Sequence, residues 1–266
     1  MSKKIGFIGA GKMAQAMIEG ILKSRMIPKE NIIVSAKTEG TIEKVKSNYQ
    51  ILTTNDNREV AKFANILILA VKPDQHAKVI DEIKNDINHE CTIITIAAGI
   101  TLADIEKEFG FSVKAVRTMP NTPSLVGEGM SAICSNERLS EEEVLEVERL
   151  FHTFGKTERL DEKLMDAVPA ISGSSPAYVY MLIEAMADGG VKQGIPRDKA
   201  YRLAAQAVLG AAKMVLETDS HPGELKDNVC TPGGATIEAV AELEKKQFRG
   251  SVLAAMESCT EKVKSL

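Results

Sequence analysis

Ile5-Gly-Phe-Ile-Gly-Ala-Gly-Lys-Met-Ala14 decides the fold of this chain. Residues 5–8 read as a short apolar strand, residues 9–11 as a turn, and residues 12–24 as a helix with Met13, Met17, Ile18, Ile21 and Leu22 at helical spacing. The bare Gly-x-Gly-x-x-Ala string is a weak signal. A strand directly before it and a helix directly after it make it a dinucleotide-binding loop. Gly9 permits the tight turn, Gly11 lets a pyrophosphate approach the backbone, and Ala14 lets the helix lie close to the sheet. Gly9, Ala10, Gly11, Lys12 and Met13 are the first candidate cofactor contacts.

Outward from this loop, strand and helix patterns alternate. Strands are expected at 31–35, 65–71, 92–97, 113–118 and 130–135, and helices at 41–47, 74–87, 101–109 and 141–154. The run Asn65-Ile-Leu-Ile-Leu-Ala-Val71 is continuously apolar, as in a central parallel strand buried on both faces. Such repetition implies an α/β domain, a Rossmann-type doubly wound parallel sheet, over residues 1–160. Beyond 160 the pattern is helical only, giving a second domain at 161–266. Pro176 and Pro196 open helices there, and Gly194 separates them. The stretch 203–216 is small and apolar nearly all round, so it needs burial on most sides. A domain of this size offers little interior, so an obligate homodimer through this region is expected.

Bulk composition narrows the function. Apolar residues make up 44%, charged residues 26%, and the formal net charge is −4. Nothing here favours nucleic acid or an anionic membrane surface. Trp is absent and aromatics total 4%, which removes stacking platforms for single strands. The cysteines at 91, 134, 230 and 259 and the histidines at 76, 89, 152 and 221 are scattered, so no metal site is expected. Isolated cysteines, and no signal-peptide or membrane-spanning pattern, point to the cytoplasm.

The loops at strand ends define the rest of the cofactor site. After the second strand, Val34-Ser-Ala-Lys-Thr-Glu39 places no acid at the strand end. Ser35 and Lys37 suit a 2′-phosphate, so NADP(H) is expected over NAD(H), with Glu39 keeping NAD(H) as the alternative. Ala70-Val-Lys-Pro73 contributes Val71, Lys72 and Pro73, and Ala97-Ala-Gly99 contributes Ala97 and Ala98. Asn121, in Met119-Pro-Asn-Thr-Pro123, is placed to face the nicotinamide pocket.

The helical half carries one more readable feature. His221-Pro-Gly-Glu-Leu-Lys-Asp-Asn-Val-Cys-Thr-Pro-Gly-Gly-Ala-Thr236 reads as a short helix opened by Pro222, a turn at 231–234, and a new helix from Ala235. A helix start flanked by two glycines offers bare N–H groups and the positive end of a dipole to a small anion. Thr231 and Thr236 add hydroxyls. His221, beside Pro222, is expected to cap or pack rather than to act as an acid.

These segments, with Ser172-Gly-Ser-Ser-Pro-Ala-Tyr178 and in this order, resemble the pyrroline-5-carboxylate reductase family along essentially the whole chain. The resemblance implies hydride transfer from NAD(P)H to C5 of a cyclic imine acid, giving L-proline. It implies an active site between the cofactor domain and the helical domain, with the partner subunit contributing. On that likeness Thr231, Gly233, Gly234, Ala235 and Thr236 hold the substrate carboxylate, and Thr236 hydrogen-bonds the ring nitrogen as an orienting donor. Asn228 would face the cofactor and Glu162 would lie near the substrate ring. The family often forms a pentamer of dimers. A 3-hydroxyacid dehydrogenase is disfavoured, because no lysine follows the 172–178 turn until Lys192. A non-catalytic NADP(H) sensor would have no need of the anion-binding helix start.

Overall fold

The computed structural model describes residues 3–265. Strand β1 (Ile5–Ile8) leads through the glycine turn into helix α1 (Lys12–Ser24). The alternation continues with β2 (Ile32–Ser35), α2 (Glu39–Tyr49), β3 (Leu52–Thr54), α3 (Asn57–Phe63), β4 (Ile66–Leu69), α4 (His76–Ile83), β5 (Thr92–Thr95), α5 (Leu102–Phe109) and β6 (Lys114–Met119). These six strands are parallel, in the order β3-β2-β1-β4-β5-β6. That is the doubly wound order, with its switch point between β1 and β4, where such sheets hold their ligands.

Two further strands complete the sheet. β7 (Gly129–Ser135) pairs antiparallel with β6, and after α6 (Glu141–Phe151), β8 (Gly155–Arg159) pairs parallel with β7. The parallel sheet expected from the sequence therefore carries a reversed pair at one edge. The reason is the short link from β6 to β7, which holds only a 3₁₀ turn at Thr122–Val126. A parallel return needs a crossover of a dozen residues or more.

The sheet is covered on both faces, and residue alternation divides the two layers. Ile5, Phe7, Ile66 and Ile68 pack with α1 and α6 through Met17, Ile18, Ile21 and Phe151. Ile8, Leu67 and Leu69 pack the other way, with Val60, Ile80, Ile83, Ile105 and Phe109 of α3, α4 and α5. This period of two within a continuous apolar run is what a strand buried on both faces requires.

The chain divides into two compact units. The first runs to Ser174 and takes back the segment from Cys259, so it extends past the boundary at 160 expected from the sequence. Met165 and Val168 belong to the core that holds Ile105 and Phe109. A single π-helical turn at Pro169–Gly173 follows them. The returning C-terminal segment touches this unit through Cys259 Sγ, 3.4 Å from Ser174 Oγ.

The second unit, 175–258, holds α7 (Ser175–Lys192), α8 (Arg197–Thr218), α9 (Pro222–Val229), α10 (Ala235–Lys245) and most of α11 (Phe248–Lys264). Gly194, with φ +94°, turns the chain between α7 and α8. Within this unit the buried apolar residues are Ala187, Ala200 and Ala204 alone. Leu203, Leu209, Met214 and Leu216 of α8 are exposed in the single chain, so the burial expected for 203–216 is not met inside it. Among the described residues no helix is long and apolar enough to cross a membrane.

Candidate active site

The residues expected to hold the cofactor lie at the carboxyl ends of β1, β2, β4 and β5. Gly9 has φ +100°, and a Cβ there would lie 2.6 Å from the Ala70 carbonyl oxygen. Only glycine meets both demands. Gly11 differs: its φ of −68° suits any residue, and a Cβ would meet no atom within 4 Å. It is the N-cap of α1 and makes no side-chain cap, so the first N–H groups of α1 receive no bond from a cap side chain. Such a start is the cradle that a pyrophosphate needs, at the positive end of a 13-residue helix. Ala10 and Met13 pack at the edge of the core beneath it, and Lys12 opens the helix. The Gln15 amide donates to the Ala10 carbonyl at 2.8 Å and steadies the loop.

The loops after β4 and β5 face a common cleft of about 380 Å³, lined by Lys72, Pro73, Ala98 and Gly99 among others. Val71 packs on the neighbouring core, and Ala97 is buried. Ala97 N–H donates to Thr95 Oγ1 at 3.2 Å. Lys37, exposed after β2, donates through Nζ to Gln75 Oε1 at 3.1 Å. A cation therefore stands at the end of the second strand, where NAD-type sites carry an acid.

Three expected side chains have other commitments. Ser35 is 1% exposed, and its hydroxyl donates to Asn57 Oδ1 at 2.6 Å. The free hydroxyl expected for a 2′-phosphate is corrected to an interior bond, continued from Asn57 Nδ2 to Glu82 Oε2 at 2.9 Å. Asn121 does not turn an open amide to a nicotinamide pocket. Its Nδ2 donates to the Ser172 carbonyl and its Oδ1 accepts from Met130 N–H, each at 2.9 Å. Glu162 lies in the first unit and accepts from Leu102 N–H of α5 at 2.7 Å. Arg117, 4% exposed, approaches the same carboxylate at 3.7 Å and pairs with Asp166. The sequence reading missed Asn57, Arg117 and Asp166, because nothing in their local strings marks them.

The turn and helix start expected to hold an anion lie in the second unit. Residues 231–234 form a turn closed by Gly234 N–H donating to the Thr231 carbonyl at 3.0 Å. Pro232 in the second position and Gly233 with φ +70° in the third fit a type II turn. Gly234 is the N-cap of α10, with extended backbone and no side-chain cap. A Cβ at Gly234 would press to 2.4 Å from Thr231 Oγ1, so only glycine admits that hydroxyl beside the helix start. Beyond Gly234, the N–H groups of Ala235, Thr236 and Ile237 begin α10 with no intrahelical acceptor. Asn228 is exposed in the last turn of α9. His221 caps α9: its Nδ1 accepts from Gly223 N–H at 3.0 Å.

Residues 162–266 match the family described as pyrroline-5-carboxylate reductase dimerisation. Residues 4–99 match the family described as NADP oxidoreductase, coenzyme F420-dependent. The chain is 45% identical over 266 residues to the pyrroline-5-carboxylate reductase of Escherichia coli K12, across all of this chain and 99% of that protein. It is 40% identical over 265 residues to that of Arabidopsis thaliana, across all of this chain and 96% of that protein. Its fold matches the crystal structure of a Plasmodium falciparum pyrroline carboxylate reductase with NADP bound. That match has a TM-score of 0.89 at 36% identity, over 99% of this chain and 97% of the other. The chain belongs to the pyrroline-5-carboxylate reductase family.

Proposed function

We propose that this protein is an NADP-dependent oxidoreductase that reduces 1-pyrroline-5-carboxylate to L-proline, the closing step of proline synthesis. The observation that carries the reading is the uncapped start of α10 behind its Pro-Gly-Gly turn, in a chain with an open dinucleotide loop at Gly11. NADPH, when bound, supplies the hydride for C5 of the imine.

The chain's own residues bind and orient. Gly9, Ala10, Gly11, Lys12 and Met13 hold the pyrophosphate at the start of α1. Lys37 takes the 2′-phosphate, which favours NADP(H) over NAD(H). Val71, Lys72, Pro73, Ala97 and Ala98 shape the ribose and nicotinamide cleft, with Asn228 turned to the cofactor. Gly233, Gly234, Ala235 and Thr236, with the Thr231 hydroxyl, fix the substrate carboxylate through bare amides. Thr236 also donates to the ring nitrogen. A protonated imine is already electrophilic, so positioning supplies most of the effect and no strong acid is needed. Glu162 flanks the substrate ring while its other bonds hold it to α5. The working form is a homodimer joined through the helical region, open to assembly into a pentamer of dimers, and it works in the cytoplasm. The free thiols of Cys91 and Cys134 suit a reducing compartment, both buried and held above their ordinary pKa by desolvation.

The test is to mix the pure protein with NADPH and 1-pyrroline-5-carboxylate and follow nicotinamide absorbance and proline formation. Loss of absorbance matched by proline is expected. Intact NADPH binding without turnover would overturn the assignment in favour of a cofactor sensor. Thr236→Ala should slow turnover by about tenfold or more while NADPH affinity stays near normal. An unchanged rate would remove Thr236 from the active site.

A further inference from the structure

His76 is a buried polar residue that the proposed reaction does not use. It opens α4 just after the Val71, Lys72 and Pro73 loop, and it is 2% exposed. Its Nε2 lies 3.4 Å from Thr95 Oγ1, at the end of β5. That hydroxyl already accepts from Ala97 N–H at 3.2 Å. The hydroxyl keeps one hydrogen and one further lone pair for His76 Nε2, so the two groups share a hydrogen bond in either ring tautomer. Nδ1 has no partner within hydrogen-bonding geometry, and the Val71 backbone is the polar neighbour that favours the protonated ring. The ring also shares the wall of a cleft of about 260 Å³ with Pro73, Ile100 and Asp104. Both cofactor loops thus converge on one imidazole, the first through Val71 and Pro73, the second through Thr95 and Ala97.

A leucine or methionine would fill this volume without burying an unsatisfied nitrogen, so packing alone gives no reason for a histidine here. We propose that His76 is a positioning residue for the cofactor: through Thr95 it holds the 71–73 and 97–99 loops in the spacing that admits the nicotinamide ribose. Burial keeps the ring neutral, with its pKa pushed down to about 4, so the His76–Thr95 bond keeps one character throughout the neutral range. The inference rests on the NADPH-dependent reading above. Its main readout is NADPH binding without substrate, which survives if only the choice of imine substrate is wrong.

The experiment compares the wild-type protein with His76→Leu, His76→Gln, Thr95→Val and the His76→Leu/Thr95→Val double variant. NADPH affinity is measured by fluorescence titration, the melting temperature without cofactor, and KM for NADPH and kcat by steady-state kinetics. His76→Leu should weaken NADPH about fivefold, the worth of one neutral hydrogen bond, and Thr95→Val, which also frees the Ala97 N–H, by at least as much. The double variant should lose less than the product of the two, because the residues act through one bond. The KM for NADPH should rise with kcat changed less than about twofold, the cofactor-free melting temperature of His76→Leu should hold or rise, and His76→Gln should recover most of the affinity. Wild-type NADPH affinity in Thr95→Val, or strictly multiplicative losses in the double variant, would overturn the proposal. Should His76→Leu fail to fold, Thr95→Val and His76→Gln decide it alone.

Discussion

Gly9 and Gly11 stand two residues apart and answer different demands, which makes them separable by one methyl group. Ala at Gly9 must adopt φ +100° and push against the Ala70 carbonyl, a strain of about 1–3 kcal/mol that should appear as lost stability in urea unfolding. Ala at Gly11 meets ordinary φ and empty space, so stability should change by less than about 0.5 kcal/mol. NADPH affinity should nonetheless fall by about tenfold or more, since the methyl occupies the approach to the α1 amides. Wild-type NADPH binding in Gly11→Ala would show that phosphate does not dock there. His76 gives a residue-scale prediction in pH. Its folded pKa of about 4 lies below its ordinary 6.5, so the unfolded chain takes up the proton first as pH falls. Burying the neutral ring therefore leaves stability independent of its protonation above about pH 6.5, and proton uptake by the unfolded chain lowers stability toward pH 4 by about 3 kcal/mol. His76→Leu should flatten that acid limb when unfolding is compared at about pH 7 and about pH 4.5; an unaltered slope would show that the ring is not held neutral. The glycines were legible because their constraint is local. The commitments of Ser35, Asn121 and Glu162 were not, because their partners lie 22, 51 and 60 residues away along the chain.

Helices α5 and α6 begin with reciprocal capping boxes, Thr101 with Asp104 and Ser140 with Glu143, whereas α1 and α10 begin at glycines with no side-chain cap. Helices α2, α4 and α8 also lack a side-chain cap, but of these uncapped starts α1 and α10 begin at glycine, which leaves no cap side chain between an anion and the bare amides. Ser140→Ala removes the acceptor for Glu143 N–H and should cost about 1 kcal/mol in thermal or urea unfolding, with NADPH affinity and turnover unchanged. Altered turnover would mean that α6 touches the site. These cap signatures, together with Pro and Gly at the ends of α7 through α10, are why most helix boundaries could be read from the sequence. The elements left unread share a different physics. β3 and β8 are the two edges of the sheet. β8, Gly-Lys-Thr-Glu-Arg, is charged and largely exposed, which is how proteins protect an edge from pairing with other chains, and it is the opposite of an apolar strand signal. α3 has seven residues and only Val60 and Ala61 buried, too short for a helical period to show.

At the scale of the whole molecule, the two units differ in how completely one chain can finish them. The first closes two layers over its sheet, with Phe7, Met17, Phe151 and Phe154 fully buried. The second buries three alanines and leaves Tyr180, Met181, Leu203, Leu209 and Leu216 more than half exposed. Exposed apolar side chains at this density, on helices whose sequence matches a dimerisation family, are what a subunit interface looks like before its partner is added. At about 25 cal/mol per Å² of apolar surface removed from water, covering them supplies stabilisation that the single chain lacks. The same accounting explains how far the sequence could be read: the all-round apolar character of 203–216 announced that burial was required, but no pattern in one chain names the surface that provides it. Leu209→Glu tests the step directly. A carboxylate placed in that interface has no partner to compensate its lost hydration, so association should weaken by about a hundredfold or more, read by sedimentation or light scattering across protein concentration. Turnover should fall in parallel with the dimer population, while NADPH binding, most of whose proposed contacts lie in the first unit, persists in the monomer. A Leu209→Glu protein that stays dimeric and fully active would place the interface on another face of the helical unit.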